Sequence, residues 1–273
     1  MNYCAPIQES AAKNVLIAAH RGVASGNVPC NSIPGYKAAL NQGADIIELD
    51  ISRSKDGVLY TFHPGMEPVF LGCKPLISEM ESKEVDAMFL RNQDSALTPY
   101  HVPYFEDVLK LLKGKCYINI DKFWSCPDDI AKAVRAQNMQ DQVLIKTSNT
   151  KEDFARVEEV AADLPYMVIA WDKDEFTEDL LQRKIRYVGV EALFSTEDVP
   201  IASEHYLASL RQKGLVAWAN SIVYDYKAVL TAGHTDDLAV SEDPDAHWGW
   251  LINRGFNIIQ TDWPLALGQY LKR

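Results

Sequence analysis

The stretch that decides the fold is IIELDISRSKDGVLYTFH, residues 46–63. Its two ends, 46–51 and 58–63, have the apolar character of strands, and the Asp56-Gly57 dipeptide between them is a turn signal. A connection between parallel strands needs about a dozen residues or more, and the link here is much shorter. We therefore predict that residues 58–63 fold back on 46–51 as an antiparallel hairpin.

Short apolar segments of the same kind recur along the whole chain. Besides the hairpin they are residues 14–20, 116–121, 142–148, 166–171, 187–193, 215–220 and 257–263. Helix start and stop signals follow most of them, which is typical of parallel strands joined by crossover helices. Residues 58–63 only fold back on 46–51, so they are not counted as a barrel strand and eight strands remain. We therefore predict a (β/α)₈ TIM barrel with a β-hairpin after its second strand. The alternative, an open doubly wound sheet, lacks a GxGxxG or Walker-type loop.

Composition narrows the class of protein. The 273 residues are 47% hydrophobic and 24% charged, and because no linker or composition break divides them, we predict one domain over 1–273. The net charge of −11 disfavours a nucleic-acid partner. The five scattered cysteines form no CxxC pair, so ordinary thiols are expected. Without a transmembrane-length apolar run or a signal-type core, we expect a soluble protein, cytoplasmic, or periplasmic or secreted if a leader was removed.

Polar residues stand at nearly every predicted strand end, where barrels of this kind carry their active sites. They are His20, Arg21, Glu48, Asp50, His63, Asp121, Lys122, Lys146, Glu191, Trp218, Asn220 and Asp262. An inert barrel would not need charges there, so their convergence predicts a functional site.

The paired acids of the second strand are the strongest part of this pattern. Alternation along a strand points Glu48 and Asp50 the same way, and hard cations such as Mg²⁺ or Ca²⁺ prefer carboxylate oxygens. We predict a metal site in which Asp121, on the next strand, is the third ligand. The alternative is neutralisation by ion pairs alone, with Arg21, Lys122 or Lys146.

Two histidines stand at strand ends beside these acids. Histidine titrates near neutral pH, so His20 and His63 are candidates for proton transfer. A catalytic triad fits less well, because no serine lies in a GxSxG elbow and no cysteine stands beside a strand-end histidine. We expect the remaining candidates to be structural, namely His101, His205 and His247.

Three further strand-end residues have predicted binding roles. Arg21 offers a fork for an anionic oxygen and Lys122 a point charge, so the two could clamp a phosphate. Trp218 is expected either to pack in the core or to form a wall against the substrate. The roles of Lys146 and Glu191 stay open, since a barrel-lining ion pair would explain both.

Seven motifs occur in an order that resembles the glycerophosphodiester phosphodiesterases. They are HRG (20–22), ELD (48–50), DG (56–57), FHP (62–64), VPYFEDVL (102–109), WAN (218–220) and IIQTDWP (258–264). The resemblance implies a TIM barrel with a small inserted subregion after the second histidine, here residues 64–100.

The resemblance also implies a chemistry. It makes His20 and His63 the general acid and base, Glu48 and Asp50 ligands of one divalent metal ion, Mg²⁺ or Ca²⁺, and Arg21 a phosphate contact. The implied reaction is hydrolysis of a glycerophosphodiester to glycerol 3-phosphate and an alcohol. The rival readings are lipid cleavage to a cyclic phosphate, as in phospholipase D-type toxins and phosphoinositide phospholipases C, and a barrel that binds phosphorylated ligands without catalysis.

Three stretches depart from the family pattern. In NIDKF, Asp121 directly precedes Lys122, where the family has an acid and a lysine one residue apart, and strand alternation would turn Lys122 outward. Pro64 replaces the acid that commonly follows the second histidine. The connection at 228–250 is longer than usual, and we expect a solvated acidic loop there, with a substrate-shaping lid as the alternative. Its polar residues include His234, Asp236 and Asp237.

Overall fold

The computed structural model describes residues 2–3 and 5–272. The strands are β1 (Leu16–Ala19), β2 (Ile46–Arg53), β3 (Leu59–Thr61), β4 (Phe89–Arg91), β5 (Leu97–His101), β6 (Tyr117–Asp121), β7 (Val143–Thr147), β8 (Tyr166–Trp171), β9 (Tyr187–Leu193), β10 (Val216–Asn220) and β11 (Ile258–Thr261). The α-helices are α1 (Ile7–Ala11), α2 (Ile33–Asn41), α3 (Glu67–Phe70), α4 (Ser82–Asp86), α5 (Phe105–Leu112), α6 (Pro127–Ala136), α7 (Lys151–Val160), α8 (Thr177–Leu180), α9 (Glu204–Gln212), α10 (Asp236–Ser241), α11 (Trp250–Arg254) and α12 (Pro264–Tyr270). Short 3₁₀ turns and one π-helical segment complete them: Ile77–Glu79, Phe123–Ser125, Pro200–Ala202 and, as the π-helix, Asp245–Gly249.

Eight parallel strands close into a barrel, so the predicted TIM barrel is confirmed. Their order is β1, β11, β10, β9, β8, β7, β6, β2, and pairing of β1 with β2 closes the ring. The predicted hairpin is also confirmed, because β3 pairs antiparallel with β2, with Ile51 opposite Thr61 and Arg53 opposite Leu59. The short link through Asp56 and Gly57 left the chain no room for a crossover.

The register between β2 and β6 decides which polar residues share a level of the barrel. Glu48 lies opposite Asn119, and Asp50 lies opposite Asp121. Parallel neighbours in register carry their side chains to the same face. The predicted third acid is therefore level with the second acid of ELD.

Alternation along the strands divides the apolar residues between two cores. On β1, Leu16 and Ala18 belong to the cluster inside the barrel, whereas Ile17 and Ala19 belong to the cluster under the surrounding helices. Helix α1 packs on the inner cluster from below, where Ser10 Oγ lies 2.9 Å from the Tyr117 hydroxyl. The lower half of the barrel is thus filled with apolar side chains, and the polar layer lies above it.

Two of the crossover helices begin with a side-chain cap. The Ser32 hydroxyl accepts a hydrogen bond from the Gly35 amide at the start of α2, and Thr150 does the same for Asp153 at the start of α7. Each side chain satisfies one of the amides that a helix leaves unpaired at its first turn.

Residues between the hairpin and α5 form a compact cluster beside the barrel. It contains α3, α4 and the antiparallel pair β4–β5, and its buried side chains include Ile77, Met80 and Val85. Tyr60 and Phe62 of the hairpin belong to the same cluster. That the chain is one domain with an inserted subregion over 64–100 stays a prediction.

Membrane spanning is not indicated by the described part of the chain. None of its helices combines the length and the apolar character that crossing a bilayer requires.

Gly189 on β9 has no room for a side chain. A Cβ at this position would lie 2.2 Å from the carbonyl oxygen of Val216 on the neighbouring strand. We predict that Gly189→Ala lowers the free energy of unfolding by about 2–3 kcal/mol, because the strands must separate to admit the methyl group. Urea unfolding followed by circular dichroism would measure it.

Gly268→Ala is the matched control for this substitution. Its Cβ would meet nothing closer than 3.6 Å, from Ile17, and the position is inside α12. Alanine there should leave the protein equally stable or more stable, by up to about 1 kcal/mol. Equal losses at the two positions would contradict the steric account.

Candidate active site

Three acids meet at the upper end of the barrel. Glu48 and Asp50 project from β2 and Asp121 from β6, and one carboxylate oxygen from each lies within 4.8 Å of the others. Glu48 and Asp50 are 2% and 0% exposed. The structure therefore brings together all three residues predicted as metal ligands.

Two carboxylate oxygens in this cluster have no hydrogen-bond partner among the described residues. They are Asp50 Oδ1 and Asp121 Oδ1, and both are buried. Buried polar atoms are nearly always paired, so these oxygens indicate a missing partner. A hard divalent cation takes carboxylate oxygens as ligands, and the donor set fits such an ion.

One oxygen of each β2 acid is held by neighbours. Asp50 Oδ2 accepts a hydrogen bond from Asn31 Nδ2 at 2.9 Å and lies 3.0 Å from Arg21 Nε. Glu48 Oε2 accepts one from the Arg21 amide at 2.9 Å. Ion pairing, the alternative to a metal, thus accounts for one oxygen of Asp50 but not for the other.

The HRG motif owes its glycine to the close approach of its turn to the first turn of α2. Gly22 has φ 80, and a Cβ there would lie 2.9 Å from the carbonyl carbon of Gly35. Arg21 itself is left-handed at φ 54. This turn brings the Arg21 side chain back over Asp50 after β1 has ended.

The Asp121-Lys122 pair reaches the site in spite of its altered spacing. Lys122 is left-handed at φ 60, a conformation that L-residues rarely adopt, and it directly follows β6. The turn brings its ammonium back to 3.0 Å from Asp121 Oδ2. Strand alternation alone would have turned Lys122 outward, so the backbone turn explains why both residues face the mouth.

A buried ion pair lies beside the acids. Lys146 Nζ is 2.8 Å from Glu191 Oε2, and both side chains are about 5% exposed or less. Burial alone would lower the pKa of Lys146, but Glu191, Asp121 and Glu48 raise it, so the ammonium stays charged. The open question about Lys146 and Glu191 is answered in favour of a barrel-lining ion pair.

These charges act on the acids in opposite directions. Burial, together with neighbouring Asp50, raises the pKa of Glu48 to about 7. Burial would also raise the pKa of Asp121, but Lys146 and Lys122 outweigh it and lower the pKa to about 2. Near neutral pH, Asp121 is ionised and Glu48 is balanced between its two forms.

His20 stands between the acids and the end of β11. Its Nδ1 lies 2.9 Å from Asp262 Oδ1, and an ionised carboxylate can only accept, so Nδ1 carries the proton. The Nε2 atom is then left for a substrate. The structure assigns a partner to Asp262, which the sequence had shown only as one polar strand end.

His63 is held from the other side by a backbone carbonyl. Its Nδ1 donates to Pro64 O at 2.8 Å, and its Nε2 lies 3.9 Å from Asp50 Oδ1. Burial lowers the pKa of His63, and nearby Asp50 opposes this only in part. His63 therefore favours the neutral form, with Nε2 as the free base.

Trp218 lies below the polar layer. Its side chain is fully buried in the inner cluster, and its indole nitrogen donates to Asn220 Oδ1 at 2.9 Å. Asn220 in turn donates to Glu191 at 2.6 Å. Of the two predicted roles of Trp218, the structure therefore fits core packing. The indole also orients Asn220.

Two cavities meet at the histidine of HRG. One has a volume of about 160 Å³ and contains Glu48 and Asp121, and the other has a volume of about 760 Å³ and extends to Trp263. His20 and Arg21 line both of them, as does Tyr224. A group bound at Arg21 would have open space on two sides.

The sequence reading missed two contributors to this site. Asn31 holds Asp50 through its amide, and its own Oδ1 accepts from the Tyr36 hydroxyl at 3.0 Å. Tyr224 lies in the long connection after β10, with its ring centroid 6.0 Å from that of His20. Neither residue stands at a strand end, so the strand-end rule could not find them.

The expected solvated acidic loop after β10 is wrong for two of its three named residues. Asp236 is 2% exposed and His234 is 7% exposed, whereas Asp237 is exposed. His234 stacks on Trp250 and lies 3.0 Å from Glu197. The reason is that α10 begins inside the fold, beneath the loop, and carries Asp236 inward.

Comparison with known proteins gives sequence relatives for parts of the chain. Residues 166–271 match a family model, DUF4996, described as a domain of unknown function. The chain is 29% identical over 181 residues to the uncharacterized protein YqiK of Bacillus subtilis, covering 63% of this chain and 71% of that protein. It is also 29% identical over 144 residues to a glycerophosphodiester phosphodiesterase of Caldanaerobacter subterraneus, covering 49% of this chain and 58% of that enzyme.

Solved structures share the fold over nearly the whole chain. A glycerophosphoryl diester phosphodiesterase from Parabacteroides distasonis superposes with a TM-score of 0.78 at 17% identity, covering 97% of this chain and 91% of that one. A phosphodiesterase from Oleispira antarctica, solved with sn-glycerol-3-phosphate, gives 0.69 at 14% identity, covering 97% and 99%. At these identities the likeness concerns the fold. The predicted resemblance is confirmed: in sequence and in fold, the chain is a relative of the glycerophosphodiester phosphodiesterases, which are phosphoric diester hydrolases.

Proposed function

We propose that this protein hydrolyses glycerophosphodiesters to glycerol 3-phosphate and an alcohol, with one divalent metal ion and two histidines. One observation carries the proposal: three carboxylates, two of them buried and the third partly buried, converge within 4.8 Å between two imidazoles that each keep Nε2 free. A cation site beside a pair of proton-transfer groups suits cleavage of a phosphodiester by metal-assisted acid–base chemistry.

Glu48, Asp50 and Asp121 would hold the metal ion. The unpartnered oxygens of Asp50 and Asp121 support this assignment, and the all-oxygen donor set suits Mg²⁺ or Ca²⁺. When bound, such an ion supplies Lewis-acid stabilisation of charge on a phosphoryl oxygen. Asn31 and Arg21 hold Asp50 in place through its other oxygen.

Arg21 and Lys122 would bind the phosphate. Arg21 is a fork that is already fixed against Asp50, so little side-chain freedom is lost when an anion binds. Lys122 adds a mobile point charge beside Asp121. Together they can stabilise the negative charge that grows on the phosphorus-bound oxygens in the transition state.

The two histidines differ in what holds them, and the difference favours one role for each. His63 is neutral by burial and faces the acids, which suits a base that deprotonates the attacking hydroxyl. His20 has its ring held at Nδ1 by the Asp262 carboxylate, which leaves Nε2 directed away from that contact and suits the acid that protonates the leaving oxygen. This assignment is part of the proposal.

The two cavities support a diester in particular. A phosphate at Arg21 would have one alcohol substituent in the cavity of about 160 Å³ and the other in the cavity of about 760 Å³. A phosphate monoester would leave one of them unused. The substrate we propose is thus a small-molecule glycerophosphodiester.

The activity test uses glycerophosphocholine and glycerophosphoethanolamine with Mg²⁺ or Ca²⁺. We expect glycerol 3-phosphate as product, and we expect His20→Ala and His63→Ala each to lower kcat by roughly 10²-fold or more, because each removes a proton-transfer group. Enzymatic detection of glycerol 3-phosphate gives the rate, and phosphorus NMR distinguishes it from a cyclic phosphate.

His205→Ala is the matched control for the histidine variants. His205 is exposed on α9, away from the residues described above, so the variant should keep full activity. Absence of glycerol 3-phosphate from a broad headgroup panel would overturn the proposal, as would full activity after chelation.

Metal binding should depend on pH through Glu48. Its pKa of about 7 means that the free protein carries a proton there at pH 6, and a carboxylate must lose that proton to bind a cation. We expect calorimetric titration with Mg²⁺ or Ca²⁺ to release about one proton at pH 6 and far less at pH 8, with affinity roughly tenfold higher at pH 8. Buffers with different ionisation heats measure the proton count.

The Glu48→Gln variant separates this residue from other groups that titrate nearby. The variant should bind more weakly and lose most of the proton release at pH 6, whereas the wild type retains it. Equal proton release by the two proteins would assign the titration to another group.

A further inference from the structure

Asp236 is a buried carboxylate at which three parts of the chain meet. It is the first residue of α10 and is 2% exposed. Its Oδ1 accepts hydrogen bonds from Ser221 Oγ at 2.6 Å, Trp248 Nε1 at 2.8 Å and Thr261 Oγ1 at 2.9 Å. Its Oδ2 accepts one from the Asp262 amide at 2.8 Å.

All four of these partners are donors, so the pocket fits the ionised carboxylate. Burial raises the pKa of Asp236 to about 6, which leaves the group mostly ionised at neutral pH. An amide in its place would turn an N–H donor toward at least one other donor. Such a mismatch in a buried site is destabilising and must move one of the partners.

What Asp236 holds in place is the segment that contacts His20. The Asp262 side chain is 47% exposed, so packing does little to restrain it. Its backbone is fixed instead, because the Asp262 amide donates a hydrogen bond to Asp236. The His20 amide donates to the Thr261 carbonyl at 3.1 Å, while the His20 ring donates to the Asp262 carboxylate. Both the backbone and the ring of His20 therefore contact the turn that Asp236 anchors.

We propose that Asp236 is a positioning residue for the general acid: by fixing the Thr261–Asp262 turn, it sets the direction in which His20 presents Nε2. The inference rests on the proposed function, because it explains how the general acid of that reaction is held in its orientation. Asp236 itself has no contact with the substrate cavities in this arrangement.

The proposal predicts a dependence on the leaving group. With glycerophosphocholine, His63 takes the proton of the attacking hydroxyl, whose oxygen forms a new bond to phosphorus as the P–O bond to choline breaks. His20 Nε2 gives its proton to the departing alkoxide oxygen; His63 then returns a proton to solvent and His20 takes one up. With the p-nitrophenyl diester of glycerol 3-phosphate, p-nitrophenolate departs without a proton. Loss of a well-aimed acid therefore slows the first reaction and spares the second.

The experiment compares kcat and KM of wild type and Asp236→Asn on both substrates. We expect kcat for glycerophosphocholine to fall by roughly 10²-fold with KM little changed, because misdirection of a catalytic group by about 1 Å costs that much. The kcat for the p-nitrophenyl diester should stay within about threefold. Asp262→Asn should show the same pattern, and the double variant should be no worse than Asp262→Asn alone.

Asp45→Asn is the matched control at the other end of the barrel. Asp45 is also buried and accepts a hydrogen bond from a backbone amide, that of Ile17 at 2.9 Å. The same chemical change there should leave the ratio of the two substrate rates unaltered.

Trp248→Phe is a milder variant that removes one hydrogen-bond donor from Asp236. It keeps the test available if Asp236→Asn does not fold, and it should lower only the glycerophosphocholine rate.

The outcomes separate this inference from the proposed function. If the wild type cleaves neither substrate, the proposed function itself fails. If the wild type is active and Asp236→Asn slows both substrates equally, or adds fully to Asp262→Asn, the positioning role is overturned and Asp236 only stabilises the fold. Selective loss on glycerophosphocholine supports it.

Discussion

Three carboxylates confined to the mouth of a barrel impose the main constraint on this structure. At a separation of about 4.8 Å, two like charges repel by roughly 3–4 kcal/mol in an environment with an effective dielectric constant of about 20. Positive charges at three different strand ends offset part of this repulsion; they belong to Arg21, Lys122 and Lys146. Among the described residues, two buried oxygens, Asp50 Oδ1 and Asp121 Oδ1, still have no hydrogen-bond partner. The basic side chains thus neutralise the acidic cluster only in part, as expected of a cation site.

The barrel meets this constraint by separating its interior into layers. Apolar side chains fill the lower half, and α1 packs beneath them. Above them, the Lys146–Glu191 pair and Asn220 line the same cavity as Glu48 and Asp121. Fixed partners matter there because buried charges are tolerated only where they are paired and hydrogen-bonded.

The fold and the acidic cluster were predictable because both follow from local pattern. The short link at 52–57 allowed only a hairpin, and alternation set Glu48 and Asp50 on one face. The direction of the Lys122 side chain was not predictable, because it depends on the left-handed backbone of this one residue after the strand. Asp236 was misread for a related reason: an acidic residue in a long polar connection is usually solvated, and only the packing of α10 buries it.

By itself, the sequence determined the eight strands of the barrel, the hairpin after the second strand and the closed parallel arrangement. These follow from periodicity and connection length, which act between residues near one another in the chain. Only the tertiary structure decided how each polar group is held: Asn31 on Asp50, Asp262 on His20, and Asp236 beneath Asp262. Such contacts join residues up to 242 positions apart, and hydrogen-bond direction is set by the packed backbone, which no local pattern records.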